Sequence, residues 1–336
     1  MSDSKNRNIE VEREPHLGSI LKKAGYTTSA FGKTQPLRTM VREDDNEKAA
    51  ERLAKLREYF DNLTIPGDFS AGRDEKQLFV QPVNYSHVIS ELDHNYDYSF
   101  TSYSPCCQPN GYFENGQQTE PFSKWAIPRK YPEFGETMGT PCAYVAAPWF
   151  EEETFAEKRY TANFPLSMIA QPSYDSRTEE QTIAGKLNDF IREQEHSDVP
   201  FFSYYGIRTG HGPFNTPERF RNTTSAGVLG EMIAETDEIV GNIFRTLEET
   251  NQIDNTLIVF MNDNGAGTNY EPQNEAKFGW KQNAIDLGDK KSVRLRGGKG
   301  YQYEGGTRNP FMWWYPKGFP ARTIEHKTVS YLDVFR

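Results

Sequence analysis

Apolar residues recur at helical spacing in several stretches of the chain, and each of these stretches predicts an amphipathic helix. The first ends before Gly25, a common helix stop. A later one follows Ser176-Arg177-Thr178-Glu179, which has the spacing of a capping box. The longest carries an apolar stripe through Leu229, Ile233, Val240, Ile243 and Leu247. The pattern thus predicts helices over residues 17–24, about 42–60, about 179–191 and about 225–250.

Short runs of aromatic and β-branched residues alternate with these helices and predict strands at 26–31, 200–207 and 256–261. Helices that alternate with continuous apolar strands indicate an α/β fold with a mostly parallel central sheet flanked by helices. The stretch 64–175 is rich in aromatic residues, proline and glycine. We interpret it as a loop-rich insertion with short strands that forms part of the substrate pocket, within a single domain that spans 1–336.

Composition excludes several classes of partner. The chain of 336 residues has 38 Lys+Arg against 48 Asp+Glu, a formal charge of −10, which argues against nucleic acid or an anionic membrane surface as the main partner. No apolar run approaches the roughly 18 residues that a membrane span requires. The three cysteines, Cys106, Cys107 and Cys142, are too few for a disulfide scaffold, and we expect them to be structural.

Polar clusters follow the predicted strands, at the sheet edge where α/β proteins bind ligands. Lys33 follows the first strand, His211 the second, and Asp263-Asn264-Gly265 the third. A carboxylate beside an amide suits a hard cation, although the same residues also make ordinary turns. His211 is either a loop histidine or a general acid and anion ligand. Further on, glycines surround Lys299, so this loop is either a flexible hairpin or a close-approach site for an anion.

Four blocks in order resemble the sulfatase family. Leu17 to Lys33 looks like the segment that runs from a helix into the family's Gly-Lys strand end, and Pro200 to Pro213 resembles the strand that ends in a His-x-Pro turn. Asp254 to Gly265 is similar to the metal-binding strand. Arg296-Gly297-Gly298-Lys299-Gly300, followed by Glu304-Gly305-Gly306-Thr307-Arg308, looks like the lysine loop.

This resemblance implies an alkaline-phosphatase-like fold and hydrolysis of an aryl or carbohydrate sulfate ester around one Ca²⁺, with Mg²⁺ as the alternative. By position, Asp263 and Asn264 would ligate the metal. Lys33 and Lys299 would hold sulfate oxygens, and His211 would contact the sulfate and protonate the leaving alcohol. We expect Arg308 to be structural, bridging the hairpin to the sheet. The partner is a sulfated small molecule or glycan; the family location is secreted, periplasmic or lysosome-like, and no signal peptide is present in this chain.

The chain also departs from the family pattern. Sulfatases carry, upstream of the Gly-Lys block, paired metal-binding aspartates and a Cys- or Ser-x-Pro-Ser-Arg motif whose first residue becomes formylglycine, the nucleophile. Neither is present within Met1 to His16, so we expect the fragment 1–336 alone to be inactive, as a partial domain incomplete at both ends. Gln35 stands where the family usually has His and cannot exchange a proton at neutral pH.

Two other functions remain open at the level of sequence. The first is a phosphate or phosphonate monoester hydrolase of the same superfamily, although the Gly-Lys-Gly loop favours sulfate. The second is a non-catalytic sulfatase homologue that binds sulfated glycans; retention of Lys33, His211, Asp263, Asn264 and Lys299 weighs against it. We favour a carbohydrate sulfate, because the loop-rich stretch offers aromatic faces that suit sugar rings, namely Tyr103, Tyr112, Phe113, Trp125 and Trp149.

Overall fold

The structure is a computed structural model. It describes residues 17–33, 79–83, 96–102, 111–120, 122–128, 144–146, 169–175, 177–211, 216–224, 227–265, 284–286 and 292–335. The helix predicted over about 42–60 lies outside these residues. Within the described part of the chain, no helix is both long enough and apolar enough to cross a membrane.

A five-stranded sheet forms the centre of the fold, with its strands in the order Gln117–Gln118, Tyr112–Glu114, Tyr98–Ser102, Thr27–Lys33 and Phe201–Gly206. Strand β1 (Thr27–Lys33) runs parallel to both β3 (Tyr98–Ser102) and β9 (Phe201–Gly206). Strands β4 (Tyr112–Glu114) and β5 (Gln117–Gln118) continue the sheet antiparallel at one edge. The predicted α/β fold with a mostly parallel central sheet and flanking helices is therefore confirmed.

Helix α1 (Leu17–Lys23) leads into the central strand β1 as the sequence predicts. Gly25 has a φ of +91°, which glycine tolerates without strain. The N–H of Gly25 bonds the carbonyl of Lys22, and the N–H of Tyr26 bonds that of Leu21, both at 3.0 Å. This Schellman motif ends the helix and turns the chain directly into the sheet.

Helices α2 (Glu179–Glu193) and α3 (Gly227–Glu249) pack against each other, and α2 also contacts β1 and β3. The core between helices and sheet is largely aromatic: Phe190 of α2 meets Phe31 of β1 edge-on at 6.0 Å between ring centroids. The buried core residues are Phe31, Phe100, Tyr112, Tyr174, Ile183, Leu187, Phe190, Ile191 and Leu247. This packing fixes α2 over the centre of the sheet.

The buried face of α3 differs from the predicted stripe. Leu229 and Leu247 are buried as expected, but Ile233 is 67% exposed. The buried face passes instead through Met232 and Ile239, each fully buried. This face also carries the carboxyl group of Glu235, which is 1% exposed.

The stretch 64–175 contains the short strands that the sequence indicates, but only part of it lies apart from the central sheet. Strands β3, β4 and β5 of this stretch pair within the central sheet. A second sheet joins the remaining described strands of this stretch, which are β2 (Phe79–Val83), β6 (Phe122–Pro128), β7 (Tyr144–Ala146) and β8 (Ile169–Ala170).

The last part of the chain forms two small antiparallel pairs. Strand β10 (Ile258–Met261), predicted from the apolar run 256–261, pairs with β13 (Phe311–Trp314). Strands β11 (Ala284–Asp286) and β12 (Ser292–Arg294) form the other pair. A short helix α4 (Glu304–Thr307) precedes β13. Single 3-10 turns lie at Glu218–Phe220, Ile253–Asn255 and Tyr331–Phe335.

Candidate functional site

Lys33 lies at the carboxyl end of β1, where the sequence places it, and its side chain is half-buried. The neighbouring end of β9 approaches it closely through Gly206. A Cβ added to Gly206 would lie 2.6 Å from the carbonyl oxygen of Lys33 and 3.3 Å from the hydroxyl oxygen of Tyr204. Only a residue without a side chain therefore permits this approach, which places the Tyr204 hydroxyl next to the end of β1.

Tyr204 also lies within electrostatic reach of the predicted metal ligand Asp263. Burial raises the pKa of the Tyr204 hydroxyl, and the negative charge of Asp263 raises it further. Since Tyr204 lies on β9 and Asp263 follows β10, the carboxyl ends of these two strands face one region. The Tyr204 hydroxyl therefore lies near the end of β1 at Lys33 and also within electrostatic reach of Asp263.

The Asp263 loop presents oxygen atoms. Asp263 Oδ1 accepts the backbone N–H of Asn264 at 2.9 Å, and Asn264 Nδ2 donates to the carbonyl of Gly265 at 2.9 Å. The amide group of Asn264 is thus oriented with its nitrogen towards the backbone, so its carbonyl oxygen points the other way. Together with the Asp263 carboxylate, this donor set suits a hard cation such as Ca²⁺ or Mg²⁺.

Two oxygen side chains are fewer than the 6–8 ligands that Ca²⁺ normally takes. In the described part of the chain, no group of three or more His, Cys, Asp or Glu residues is arranged to hold a metal ion. The chemistry of Asp263 and Asn264 therefore fits one portion of a metal site.

Glycine contacts join the Asp263 loop to the lysine loop. The N–H of Gly265 bonds the carbonyl of Gly306 at 3.0 Å, and a Cβ on Gly265 would overlap the carbonyl oxygen of Gly305. Gly305 in turn donates its N–H to the carbonyl of Arg296 at 2.8 Å. Helix α4 therefore lies between the two loops with backbone contacts on both sides.

Lys299 projects from a tight turn in this arrangement. The N–H of Tyr301 bonds the carbonyl of Gly298 at 2.9 Å, and Gly300 has a φ of +87°. Glycine is favoured at such a position because a Cβ would be strained there. Lys299 is exposed at the tip of the turn, so its ammonium group is available to an anion.

Two exposed tyrosines follow Lys299. Tyr301 is 55% exposed and Tyr303 is 43% exposed. The guanidinium carbon of Arg296 lies 3.8 Å from the centroid of the Tyr303 ring, and Arg296 Nη2 donates to the Tyr303 hydroxyl at 2.9 Å. We expected Arg308 to bridge the hairpin to the sheet. Instead, Arg308 Nη1 lies 3.4 Å from Glu304 Oε2, in an exposed ion pair at the short helix α4.

His211 follows β9 in a short loop, and its side chain is half-buried. Its backbone N–H bonds the carbonyl of Arg208 at 3.0 Å. Arg208 is 2% exposed, and its Nε lies 3.0 Å from Glu179 Oε2. The N–H of Arg208 also donates to Glu180 Oε1 at 2.9 Å. The loop of His211 is thus attached to the start of α2.

This attachment corrects the sequence interpretation of α2. Glu179 does not act in a capping box: the helix begins after Thr178, which makes no side-chain cap bond, and Glu179 is fully buried. Its Oε2 accepts the hydroxyl of Tyr174 at 3.0 Å besides pairing with Arg208. The acidic pair Glu179-Glu180 therefore serves the β9 loop rather than the helix end.

Burial sets the electrostatics of this cluster. It raises the pKa of Glu180 to about 7, with a further increase from the negative charge of Glu179 and an opposing effect of Arg208. Burial also raises the pKa of Glu235 to about 7, against the hydrogen bond from Gln181. Arg208, despite its burial, has a raised pKa because these carboxylates surround it.

Sequence analysis missed Tyr204, Arg208 and the buried role of Glu180. Two signals were available in the sequence. Tyr204 is an aromatic residue with a polar hydroxyl on an apolar strand, and Arg208 is an arginine directly after the predicted strand 200–207. Two aromatic candidates for the substrate pocket are wrong, because Tyr112 and Phe113 are 4% and 2% exposed in the core. The side chains of Gln35, Cys106, Cys107, Cys142, Tyr103, Trp125 and Trp149 lie outside the described part of the structure.

Comparison with known proteins gives a family match over nearly the whole chain. The family model described as Sulfatase matches residues 3–336. An N-acetylgalactosamine-6-sulfatase of Canis lupus familiaris is 28% identical over 177 residues, which is 53% of this chain and 30% of that protein. Arylsulfatase A of Homo sapiens is 30% identical over 169 residues, which is 50% of this chain and 30% of that protein.

Bacterial proteins are similar as well. An N-acetylgalactosamine-6-O-sulfatase of Bacteroides thetaiotaomicron is 32% identical over 156 residues, which is 46% of this chain and 28% of that protein. A solved structure from work on glycosaminoglycan metabolism by Bacteroides thetaiotaomicron has a TM-score of 0.52 at 20% identity. It covers 89% of this chain and 54% of the solved chain. The matches thus span about a third of the curated relatives and about half of the solved structure.

Proposed function

Because the chain belongs to the sulfatase family, we propose that it forms the sulfate-binding and metal-binding part of a sulfuric ester hydrolase. The observation that carries the proposal is the contact of Gly265 with α4, and of α4 with the lysine loop. This contact brings the loop of Asp263 and Asn264 next to the turn of Lys299. A site that binds and cleaves a sulfate ester needs cation ligands and an anion-binding ammonium group close together.

Each predicted site residue has a role in this proposal. Lys33 and Lys299 bind oxygens of the sulfate group, and their positive charges stabilise the negative charge that builds up during cleavage of the S–O bond. His211 contacts the sulfate and donates a proton to the oxygen of the departing alcohol. In this proposal the groups that act on the sulfate come from three different segments of the chain.

Asp263 and Asn264 would hold Ca²⁺, or Mg²⁺ in its place. When bound, the cation polarises a sulfate oxygen and neutralises part of its charge. Family membership also implies a formylglycine nucleophile, for which the sequence 1–336 contains no matching motif. We therefore assign to these residues the binding, charge stabilisation and proton donation of the reaction.

The substrate class proposed is a sulfated carbohydrate. Tyr301 is exposed two residues after Lys299, and aromatic faces suit the apolar faces of sugar rings. Several relatives carry names of sulfatases that act on N-acetylgalactosamine 6-sulfate groups. A sulfate ester on a hexosamine is the corresponding test substrate.

The test is release of inorganic sulfate by the native protein isolated from its source, with its N-terminal peptide mapped by mass spectrometry. We expect release from N-acetylgalactosamine 6-sulfate, with much slower release of phosphate from the matched phosphate ester. Lys299→Ala should reduce the rate by roughly 10²-fold or more, as does loss of a charge-stabilising donor elsewhere. Lys317→Ala, which removes an exposed lysine of the same charge, should leave the rate unchanged.

Other outcomes have equally definite meanings. Faster hydrolysis of the phosphate ester than of the matched sulfate ester would establish the phosphohydrolase alternative. Binding of the sulfated sugar without release of sulfate, by a protein whose N-terminus carries no nucleophile motif, would establish the non-catalytic alternative. In either case the proposed hydrolysis of sulfate esters would be wrong.

A further inference from the structure

We propose that Glu180 on α2 and Thr236 on α3 are positioning residues that hold the His211 loop from two sides. This inference rests on the proposed function only for the role of His211 itself. Neither residue belongs to the predicted metal or sulfate ligands. They act on the loop through hydrogen bonds to its backbone and to one of its hydroxyl groups.

The first attachment comes from Glu180. This carboxylate is 1% exposed, and its two oxygens have different partners: Oε1 accepts the backbone N–H of Arg208 at 2.9 Å, and Oε2 accepts the Tyr205 hydroxyl at 2.7 Å. Tyr205 is on β9 and Arg208 begins the loop. One buried side chain of α2 therefore fixes both the end of the strand and the start of the loop.

The ion pair of Arg208 reinforces this attachment. Its Nε lies 3.0 Å from Glu179 Oε2 and 3.9 Å from Glu180 Oε1, with all three side chains 2% exposed or less. A buried arginine between two buried carboxylates cannot move without separating the charges, which is costly in a medium of low dielectric constant. Arg208 then accepts the N–H of His211 at its own carbonyl, 3.0 Å away.

The second attachment comes from Thr236. Its hydroxyl donates to the carbonyl of Met232 at 3.0 Å, one turn earlier on α3. The oxygen of Thr236 is therefore the acceptor in its contact with the hydroxyl of Thr209. Thr209 lies two residues before His211, so α3 holds the middle of the loop while α2 holds its start.

A general acid needs to be positioned with respect to the leaving oxygen, because proton transfer depends steeply on distance and angle. The alcohol of a sugar sulfate leaves as a strongly basic alkoxide and depends on the proton. The nitrophenolate of 4-nitrophenyl sulfate is a stable anion and leaves without one. Displacement of His211 should therefore slow the sugar ester far more than the aryl ester, whereas general damage to the site should slow both equally.

The first experiment measures amide hydrogen exchange in the chain of 336 residues. We expect Glu180→Ala to increase the exchange rate of the Arg208 and His211 amides by roughly tenfold or more, since the buried acceptor of the Arg208 amide is lost. Valine has nearly the same shape as threonine, and Thr236→Val leaves no buried charge unpaired. This variant therefore provides a second test if Glu180→Ala does not fold. Glu180→Gln retains an oxygen acceptor and should largely restore protection. Glu238→Gln, which changes a surface carboxylate of α3, is the control.

The second experiment uses the native protein and compares the two esters. Glu180→Ala and Thr236→Val should lower kcat on the sugar sulfate at least about tenfold more than on 4-nitrophenyl sulfate, with His211→Ala showing the same selectivity. In the His211→Ala background, neither substitution should add a further selective loss.

Two results would overturn the proposal: unchanged exchange at His211 in both variants, or equal slowing of both esters. If the native protein releases sulfate from neither ester, the proposed function fails. The exchange measurement then still decides whether Glu180 and Thr236 hold this loop.

Discussion

Gly265 and Gly305 are in backbone contact: a Cβ on Gly265 would overlap the carbonyl oxygen of Gly305. Gly265 follows the predicted metal ligands, and Gly305 belongs to the helix that supports the Lys299 turn. The distance between these two parts of the site is therefore set by the absence of side chains. This relationship explains why glycine occurs at these positions.

The first prediction concerns Gly265→Ala. The added methyl group has to displace the backbone of α4, so we expect destabilisation on the order of 1–3 kcal/mol. Binding of Ca²⁺ should weaken in parallel, because the Asp263 loop shifts. Chemical denaturation and calorimetric titration of the same preparation would measure both effects.

Gly241→Ala is the matched control for this substitution. A Cβ at Gly241 would have no neighbour within 4 Å, and the residue lies inside α3. Replacement of a helical glycine by alanine should stabilise the protein by about 0.5–1 kcal/mol. Equal destabilisation by both substitutions would contradict the role given to the Gly265 contact.

The second prediction compares two ion pairs of the same chemistry. Arg208→Met removes the cation beside the buried Glu179 and Glu180, and at pH 8 this should cost about 3–5 kcal/mol. Arg219→Met removes the partner of Glu238 at the surface, and this should cost less than about 1 kcal/mol. Urea denaturation of the two variants would show whether burial makes the difference.

The third prediction is a pH dependence of stability. Glu180 and Glu235 have pKa values raised from 4.5 to about 7 in the folded chain. Between these values the folded chain binds more protons than the unfolded chain, so stability falls as pH rises from about 4.5 to 7. Each group contributes on the order of 3 kcal/mol to this loss. The charged or titratable groups that act on them are Glu179, Arg208, Tyr205 and Arg219.

Glu180→Gln and Glu235→Gln replace the ionisable groups with neutral ones of similar shape. Each substitution should flatten the decline of stability between pH 5 and pH 7, measured by denaturation at several pH values. If stability falls between pH 5 and pH 7 as steeply in both variants as in the wild type, then groups other than Glu180 and Glu235 cause the pH dependence.

The fourth prediction concerns the cation. Asp263→Asn removes one negative charge from the ligand set. Loss of a residue that only supports a metal ligand already costs roughly tenfold in affinity, so the affinity for Ca²⁺ should fall by at least that factor. Asp254→Asn is the control, because Asp254 lies before β10 in the Ile253–Asn255 turn. Equal affinities of the two variants in calorimetric titration would remove Asp263 from the metal site.

The fifth prediction separates the sugar from the sulfate. Tyr301→Ala removes an exposed aromatic face next to Lys299 and leaves the charges unchanged. We expect binding of a sulfated hexosamine to weaken by roughly five- to tenfold, which corresponds to the loss of an aromatic contact of about 1–1.4 kcal/mol. Binding of inorganic sulfate should be unchanged. A loss of both would mean that Tyr301 supports the turn rather than the sugar.

The order of elements was predictable because local patterns carry it. The Gly25 stop after α1, the apolar run of β10 and the extent of α3 are all set by residues a few positions apart. The five candidate residues Lys33, His211, Asp263, Asn264 and Lys299 could be placed at strand ends and in a glycine loop for the same reason.

The remaining features depend on contacts between distant segments. Glu179 fits a capping box by spacing, and only its partner Arg208, far along the chain, gives it a different role. The sequence around Tyr204 is that of an ordinary apolar strand. Only the folded structure shows that the Tyr204 hydroxyl lies near Gly206 and within electrostatic reach of Asp263. The pairing of β3 with β1 has no local signal, because the residues around β3 resemble loop sequence.

A crystal structure of the native protein with Ca²⁺ and a sulfated hexosamine would test the proposed site most directly. We predict a cation on the oxygens of Asp263 and Asn264, and a sulfate group bound by the ammonium groups of Lys33 and Lys299, with His211 at the ester oxygen. An ordered sulfated sugar that binds elsewhere, away from both lysines and from Asp263, would contradict the assignment of this site.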